Sequence, residues 1–187
     1  ENFMTKMFQP FAEFASIDIL DEDLKGITKF CNQTQKNFPS VIKSNSGGYQ
    51  SSSLFHPTLD KNKPMWNLFS TITKKIANLH RQNELSLPLR LDNFWININK
   101  KTHFNVPHSH PCCIFSGVFY VKTPYNSGNF AFYRNIHVYK STELIKPEEN
   151  MLILFPAYFD HYVEPNNSNQ DRISISFNYI KNNEPQS

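Results

Sequence analysis

The sequence predicts a mainly-β sandwich or barrel with two helices packed outside it. Two observations carry this. Beyond Pro88 the chain breaks into short segments of alternating apolar and polar residues divided by turn residues. Ahead of Pro88, two stretches place apolar residues at helical spacing. Short strands that follow two helices imply facing sheets, or a closed barrel, with helices on one face.

The elements follow in order. Residues 4–18 are apolar-rich and interrupted by Pro10, which reads as an irregular edge strand. Asp21-Glu22-Asp23 leads into Leu24, Ile27 and Phe30, an amphipathic helix over about 21–37 with acids at its positive end. Pro39, Ser44, Ser46, Gly47 and Gly48 mark a loop over 39–48, and Tyr49 to Phe55 reads as a short strand. A clearer helix follows Lys63-Pro64, over about 64–84, with Trp66, Phe69, Ile72, Ile76 and Leu79 at its spacing. Trp66 and Phe69 are read as core. Phe94–Asn99, Ser116–Val121, Gly128–Tyr133, Met151–Phe155 and Arg172–Tyr179 alternate as strands, and residues 182–185 read as a frayed end. Nothing resembles a linker or a repeat. The expectation is one domain over 1–187, with a barrel core at about 94–180 and helical support at about 21–84.

Composition narrows the class. The net charge is +3 with both signs interspersed, so no basic stripe suggests nucleic acid. No apolar run approaches the ~20 residues that span a bilayer. Cys31, Cys112 and Cys113 are odd in number and two are adjacent, a poor disulfide framework. They read as reduced thiols, small and buried, in a soluble cytoplasmic protein.

Two motifs carry chemistry. In Pro107-His108-Ser109-His110-Pro111, histidines at i and i+2 leave one face of an extended segment, as a strand presents two ligands to one metal. His161 follows a core-like strand and offers a third imidazole. Taken alone, a His-x-His pair is more often a solvated loop than a metal site. In Arg172-Ile173-Ser174-Ile175-Ser176-Phe177-Asn178, alternation puts Arg172, Ser174, Ser176 and Asn178 on one face. Arg172 follows His161 by eleven residues, enough for one turn and a return to the neighbouring strand. An Arg inside a barrel mouth needs an anion, and a carboxylate matches its planar fork.

Three blocks together resemble the iron(II)- and 2-oxoglutarate-dependent oxygenase superfamily: Asn99 to His110, Ser116-Gly117-Val118-Phe119-Tyr120-Val121, and Asn150 to Asn178. More narrowly they resemble a group, frequent in marine bacteria and phages, with a His-x-His-Pro…Ser-Gly-Val-Tyr-Tyr block and a His-x-Val-Glu-Pro-Asn…Arg-Ile-Ser-Ile-Ser-Phe-Asn block. The similarity covers roughly residues 45–180.

The resemblance implies a double-stranded β-helix (a jelly roll, cupin-like) that binds Fe(II) and uses 2-oxoglutarate as cosubstrate. It makes His108, His110 and His161 the metal and catalytic residues. It assigns Arg172, Ser174, Tyr120 and Asn99 to the cosubstrate, Asn99 standing where relatives often carry a Tyr. The implied activity is hydroxylation of a small molecule or a protein side chain.

One departure stands out. His110 occupies the place of the superfamily's usual carboxylate. It is the third ligand, or it stands beside the metal with water in its place, or Asp160 supplies the carboxylate. The last is disfavoured, because adjacent strand residues point to opposite faces. Two rivals remain: a three-histidine cupin dioxygenase without 2-oxoglutarate, and a non-catalytic metal-binding barrel. Loops near 37–48, 56–63 and 134–148 are expected to rim the mouth.

Overall fold

The computed structural model describes residues 13–82, 88–136 and 139–182. Among these described residues, eleven strands form two antiparallel sheets, and helices cover one of them. The strands are β1 (Glu13–Ser16), β2 (Asn45–Ser46), β3 (Tyr49–Gln50), β4 (Leu89–Asn99), β5 (Phe104–His108), β6 (Phe115–Lys122), β7 (Phe130–Ile136), β8 (Tyr139–Ile145), β9 (Met151–Pro156), β10 (His161–Val163) and β11 (Arg172–Lys181). The larger sheet runs β1-β9-β6-β11-β4-β3 and the smaller β2-β5-β10-β7-β8. This is the double-stranded β-helix architecture that the sequence implies.

The helices are α1 (Asp21–Asn37), α2 (His56–Asp60) and α3 (Lys63–Gln82). Asp21, Glu22 and Asp23 fill the first turn of α1, where acids complement the helix dipole. It stops at Phe38, which precedes Pro39 and is held extended at φ −131°, ψ 141°. Pro64 sits in the first turn of α3, where its missing N–H costs nothing. The two helices cross closely at Gly26, where an added Cβ would stand 2.5 Å from Pro64 Cγ.

Alternation along the strands then makes two cores. Phe94, Ile96, Ile98, Ile173, Ile175 and Phe177 point outward from the large sheet and meet Met65, Leu68, Phe69 and Ile72 of α3. The Phe69 ring packs 4.8 Å from Phe94 and 5.7 Å from Phe177. Each such side chain, fully buried, contributes about 1.5–3 kcal/mol. Between the sheets lies a smaller cluster of Val118, Tyr120, Phe130, Phe132, Ile153 and Phe155. The inward face of the large sheet is otherwise polar, and that polarity builds the site.

Several local expectations are corrected. The stretch 134–148 is largely strand, because β7 and β8 pair from Phe130↔Ile145 to Ile136↔Tyr139. Residues 56–60 are helical, and Tyr49 to Phe55 pairs only at Tyr49, Gln50 and Leu54. Trp66 is 38% exposed, on the edge of the helical core. Cys112 is exposed and Cys113 half-buried, since both lie in the turn after the second histidine and not in a strand. The described part of the proposed 4–18 strand is β1; residues 4–12 lie outside the described residues. No helix among the described residues is long and apolar enough to cross a membrane.

Candidate active site

His108 ends β5 and His161 begins β10, and the two are register partners in the small sheet. Their ring centroids stand 4.3 Å apart. His110 lies just past the strand, its backbone N–H donating to Ala157 O at 2.8 Å, with its ring 5.0 Å from His108 and 5.1 Å from His161. One nitrogen from each imidazole can be chosen so that all three lie within 4.8 Å of one another. Such a cluster could hold one divalent metal.

The rings are set for this. His108 Nδ1–H donates to Val106 O at 2.8 Å, and His161 Nδ1–H donates to Phe159 O at 2.9 Å. Each bond uses a carbonyl two residues upstream and leaves Nε2 with a free lone pair. Phe130 stacks on the His161 ring at 5.5 Å and Phe155 closes in at 4.6 Å. Burial holds His161 down to about 3, with His108 adding to the effect, and holds His110 down to about 4. Burial also lowers His108, against the Val106 bond and the Asp160 charge, which raise it. Three neutral imidazoles are the form that binds metal. Asp160 itself is exposed and outside the cluster. Cys112 and Cys113 are outside it too, and His56 instead pairs with Asp60 at 3.6 Å.

Facing the histidines across the sandwich are Arg172, Ser174 and Ser176 of β11 and Asn97 and Asn99 of β4, which line one cavity with all three imidazoles. The expected return of Arg172 to a strand next to β10 is corrected. β11 pairs with β4 and β6 in the large sheet, while β10 pairs with β5 and β7. The connection 164–171 crosses between the sheets and does not close a hairpin. Asn166, fully buried, fixes this crossing by donating to Asn99 O and Gln170 O, each at 2.8 Å.

Arg172 is 1% exposed. Its Nη1 donates to Ser127 O and, at 3.0 Å, to Glu164 O. Its Nη2 is buried and meets no acceptor, and the same holds for Asn99 Nδ2, while Tyr120 Oη is equally without a partner. Asn97 Nδ2 donates to Ser176 Oγ at 3.1 Å, leaving its Oδ1 alone. Ser174 pairs in register with Asn97 on one side and Tyr120 on the other. Burial lowers Arg172 from its ordinary value, but a guanidinium keeps its proton. Burial pushes Tyr120 up to about 12, so its hydroxyl remains a donor. An orphaned buried polar group costs about 1–3 kcal/mol, and a charged one more. Three orphaned donors beside a buried cation fit the carboxylate of a dianionic cosubstrate, and three imidazoles fit a divalent metal.

The structure brings together around one cavity the histidines, Arg172 and both asparagines that the sequence singled out, along with other parts that it did not. Trp95, whose ring lies 5.5 Å from His110, forms part of the wall and reads in sequence as an ordinary strand aromatic. The carbonyls of Ser127 and Glu164 leave no sequence signal. Asn166 did, as the last residue of His-x-Val-Glu-Pro-Asn.

Residues 93–178 match a family model described as "Putative 2OG-Fe(II) oxygenase". No curated protein matches the sequence. Solved structures do. A prolyl-4-hydroxylase from Pseudomonas putida superposes with TM-score 0.72 at 10% identity, covering 95% of this chain and 96% of that one. A prolyl hydroxylase from Trichoplax adhaerens, in complex with a hypoxia-inducible-factor oxygen degradation domain peptide, gives 0.73 at 13% identity, covering 95% and 86%. HygX from Streptomyces hygroscopicus, with nickel and 2-oxoglutarate bound, gives 0.67 at 9% identity, covering 96% and 86%. At these identities the likeness shows the fold. The family match lies over the strands that bear the site. Over residues 93–178 the chain is similar to that oxygenase family, which together with the fold points to an enzyme that uses iron(II) and 2-oxoglutarate.

Proposed function

We propose that the chain is a hydroxylase, acting as one catalytic domain in the cytoplasm, in which His108, His110 and His161 hold iron(II) and Arg172, Ser174, Tyr120 and Asn99 hold 2-oxoglutarate. One observation carries the reading: the unpartnered donors of Arg172, Asn99 and Tyr120 are buried in the half of the sandwich that faces the three-imidazole cluster. When bound, iron(II) with 2-oxoglutarate supplies the oxygen activation that oxidises a C–H bond.

The chain's own groups do the rest. The Nδ1–H bonds to Val106 and Phe159 fix the His108 and His161 rings, so the ligating edges are set before the metal arrives. The Arg172 fork is already held by Ser127 O and Glu164 O, which leaves Nη2 for a carboxylate oxygen. The Tyr120 hydroxyl and the Asn99 amide add neutral donors. Phe130 and Phe155 exclude water beside His161, where a dry wall strengthens every electrostatic contact. With His110 as a ligand, no coordination position is vacated for a halide, and hydroxylation is the outcome this donor set favours. A three-histidine dioxygenase without 2-oxoglutarate would explain His110 but leave the buried Nη2 of Arg172 without an acceptor.

Iron-dependent release of succinate from 2-oxoglutarate tests this, since slow uncoupled turnover needs no prime substrate. Iron-loaded protein that neither binds 2-oxoglutarate nor releases succinate would sink the reading.

A further inference from the structure

A second, larger cleft of about 610 Å3 adjoins the first. His108, His110, Trp95 and Ser44 line both, so the two spaces meet at the imidazoles. The volume is that of a small-molecule site. Accepting the oxygenase reading above, this is the approach to the metal that the cosubstrate half leaves open.

The wall of this cleft selects by charge. No Asp or Glu lines either space, and the fixed charges are Arg172 in the inner one and Lys43 in the outer. The nearby acids are placed elsewhere: Asp160 is exposed and outside both linings, Asp92 accepts from Asn93 Nδ2 at 3.0 Å, and Glu164, which offsets part of the Arg172 charge, lies outside both linings and accepts from Asn129 N and Nδ2 at 3.0 and 2.8 Å. Three neutral ligands leave a divalent metal its full charge, which a dianionic cosubstrate cancels, so Arg172 and Lys43 leave the loaded site positive. An amine would meet two like charges and no counter-ion.

The wall also makes one unmet demand for a hydrogen bond. Asn178 is satisfied, donating to Asn93 Oδ1 at 3.0 Å and accepting from Ser116 Oγ at 2.7 Å. Gln50 is not: it is 6% exposed and its Oε1 is buried without a donor, alone in this among the described residues of the outer wall. A rotation of this side chain, whose residue lines the cleft, would turn the acceptor towards an N–H or O–H of whatever enters.

We propose that the prime substrate is a small molecule bearing an oxyanion, held in the outer cleft with its acid group toward Lys43 and an N–H or O–H donor on Gln50. Lys43 is an exposed point charge, so its contribution is of the order of 1 kcal/mol, about fivefold in affinity, and fades with salt. Lysine takes a carboxylate or a phosphate equally well. Gln50 and Trp95 then supply direction and a flat surface beside His110.

Trp95 is also the reporter. In a Trp66→Phe background of the full chain, loaded with zinc and 2-oxoglutarate so that no turnover occurs, its emission follows occupation of the cleft. The probes are matched sets of small carboxylates, phosphate monoesters, carboxamides and amines on common carbon frames. Anions should bind tightest, about fivefold over their amides at low salt, and the carboxylate and phosphate sets tell which oxyanion is preferred. Lys43→Glu should reverse the order in favour of amines. Gln50→Leu should weaken anions that carry a donor and spare those without one. Amides or amines that match the anions, anions that leave Trp95 unmoved, or an order indifferent to Lys43→Glu would each overturn the proposal. Thermal melts confirm that the variants fold. Two titrations separate the readings: failure of 2-oxoglutarate to bind the metal-loaded protein refutes the oxygenase reading, while the Lys43-dependent preference is read on metal-free protein without either cofactor.

Discussion

Arg172 and Asn99 are register partners on β11 and β4, and each presents a buried nitrogen, Nη2 and Nδ2, that meets no acceptor. Two strands thus place a fixed positive charge and a neutral donor side by side at the floor of the cavity. Truncating Arg172 to Ala should weaken 2-oxoglutarate binding by roughly 2–5 kcal/mol, as for other desolvated charge pairs, while metal affinity stays close to that of the parent. Arg172→Lys should recover only part, because an ammonium cannot hold Ser127 O, Glu164 O and a carboxylate together in the fork geometry. The metal-to-ligand charge-transfer band of the anaerobic iron-loaded protein, titrated with 2-oxoglutarate, measures both. Equal affinity in Arg172→Ala would remove the case for a 2-oxoglutarate site here.

The glycine of the Ser116-Gly117-Val118 block is a packing requirement. A Cβ on Gly117 would stand 2.4 Å from Phe177 Cζ and 2.7 Å from Ile153 O. The ring is pinned by Phe69 at 5.7 Å and Tyr179 at 5.9 Å, and the carbonyl belongs to the neighbouring strand, so neither gives way cheaply. Gly117→Ala should therefore cost about 1–3 kcal/mol of stability, as overpacking does. Chemical denaturation reads this directly; an unchanged midpoint would mean that β6 and β9 can separate at this point.

Cys31 predicts an alkaline limb in stability. Burial on α1 pushes its thiol up to about 12 from 9.0. A folded-state pKa above the unfolded one means that unfolding releases a proton in between, so stability is whole below about pH 9 and is lost progressively as pH rises towards 12. Cys31→Ala should flatten the first part of that decline. Tyr120 and Tyr179, both pushed up to about 12, keep the part above pH 10. In the native protein a thiol reagent should label Cys112 first, Cys113 more slowly, and Cys31 only on unfolding, since exposure falls in that order. Denaturation midpoints at about pH 8 and pH 10 test the linkage; parallel midpoints for parent and variant would refute it.

Much of this was legible because periodicity reports burial. The Arg172–Asn178 alternation gave the polar inward face and the apolar outward face of β11 correctly, and the helical spacing of Phe69, Ile72 and Ile76 gave the buried face of α3. The His-x-His pair and His161 stood out by chemistry, but it was the family resemblance that made them one ligand set. What was not legible depends on long-range pairing. The placement of β11 opposite β10 is set by the course of 164–171 and its anchor at Asn166, which no local pattern encodes. The β7–β8 pairing fell in a stretch whose mixed composition reads as loop. Backbone acceptors for Arg172, and the unmet Oε1 of Gln50, come into view only once the strands are assembled.

His110 decides what kind of metal centre this is. It stands where a carboxylate is usual, and three features bear on it together. Its ring is within 5.1 Å of both other imidazoles, its strand-end position is tied down through Ala157 O, and burial keeps it neutral. A ligand role predicts a graded series. His108→Ala and His161→Ala should abolish stable binding of manganese(II) or cobalt(II), because each removes one of the two ligands whose Nδ1–H is anchored to backbone. His110→Ala should weaken binding at least tenfold, of the order expected when even a supporting group of a metal site is lost. His110→Asp should restore binding by returning an anionic donor to the site. It should also weaken 2-oxoglutarate, since the bound metal then presents one less positive charge to a dianion. Calorimetric metal titrations at fixed pH, repeated with 2-oxoglutarate, resolve the two effects. Parental metal affinity in His110→Ala would place His110 outside the coordination sphere and reduce the centre to two histidines with water, leaving Arg172 and the fold as they are.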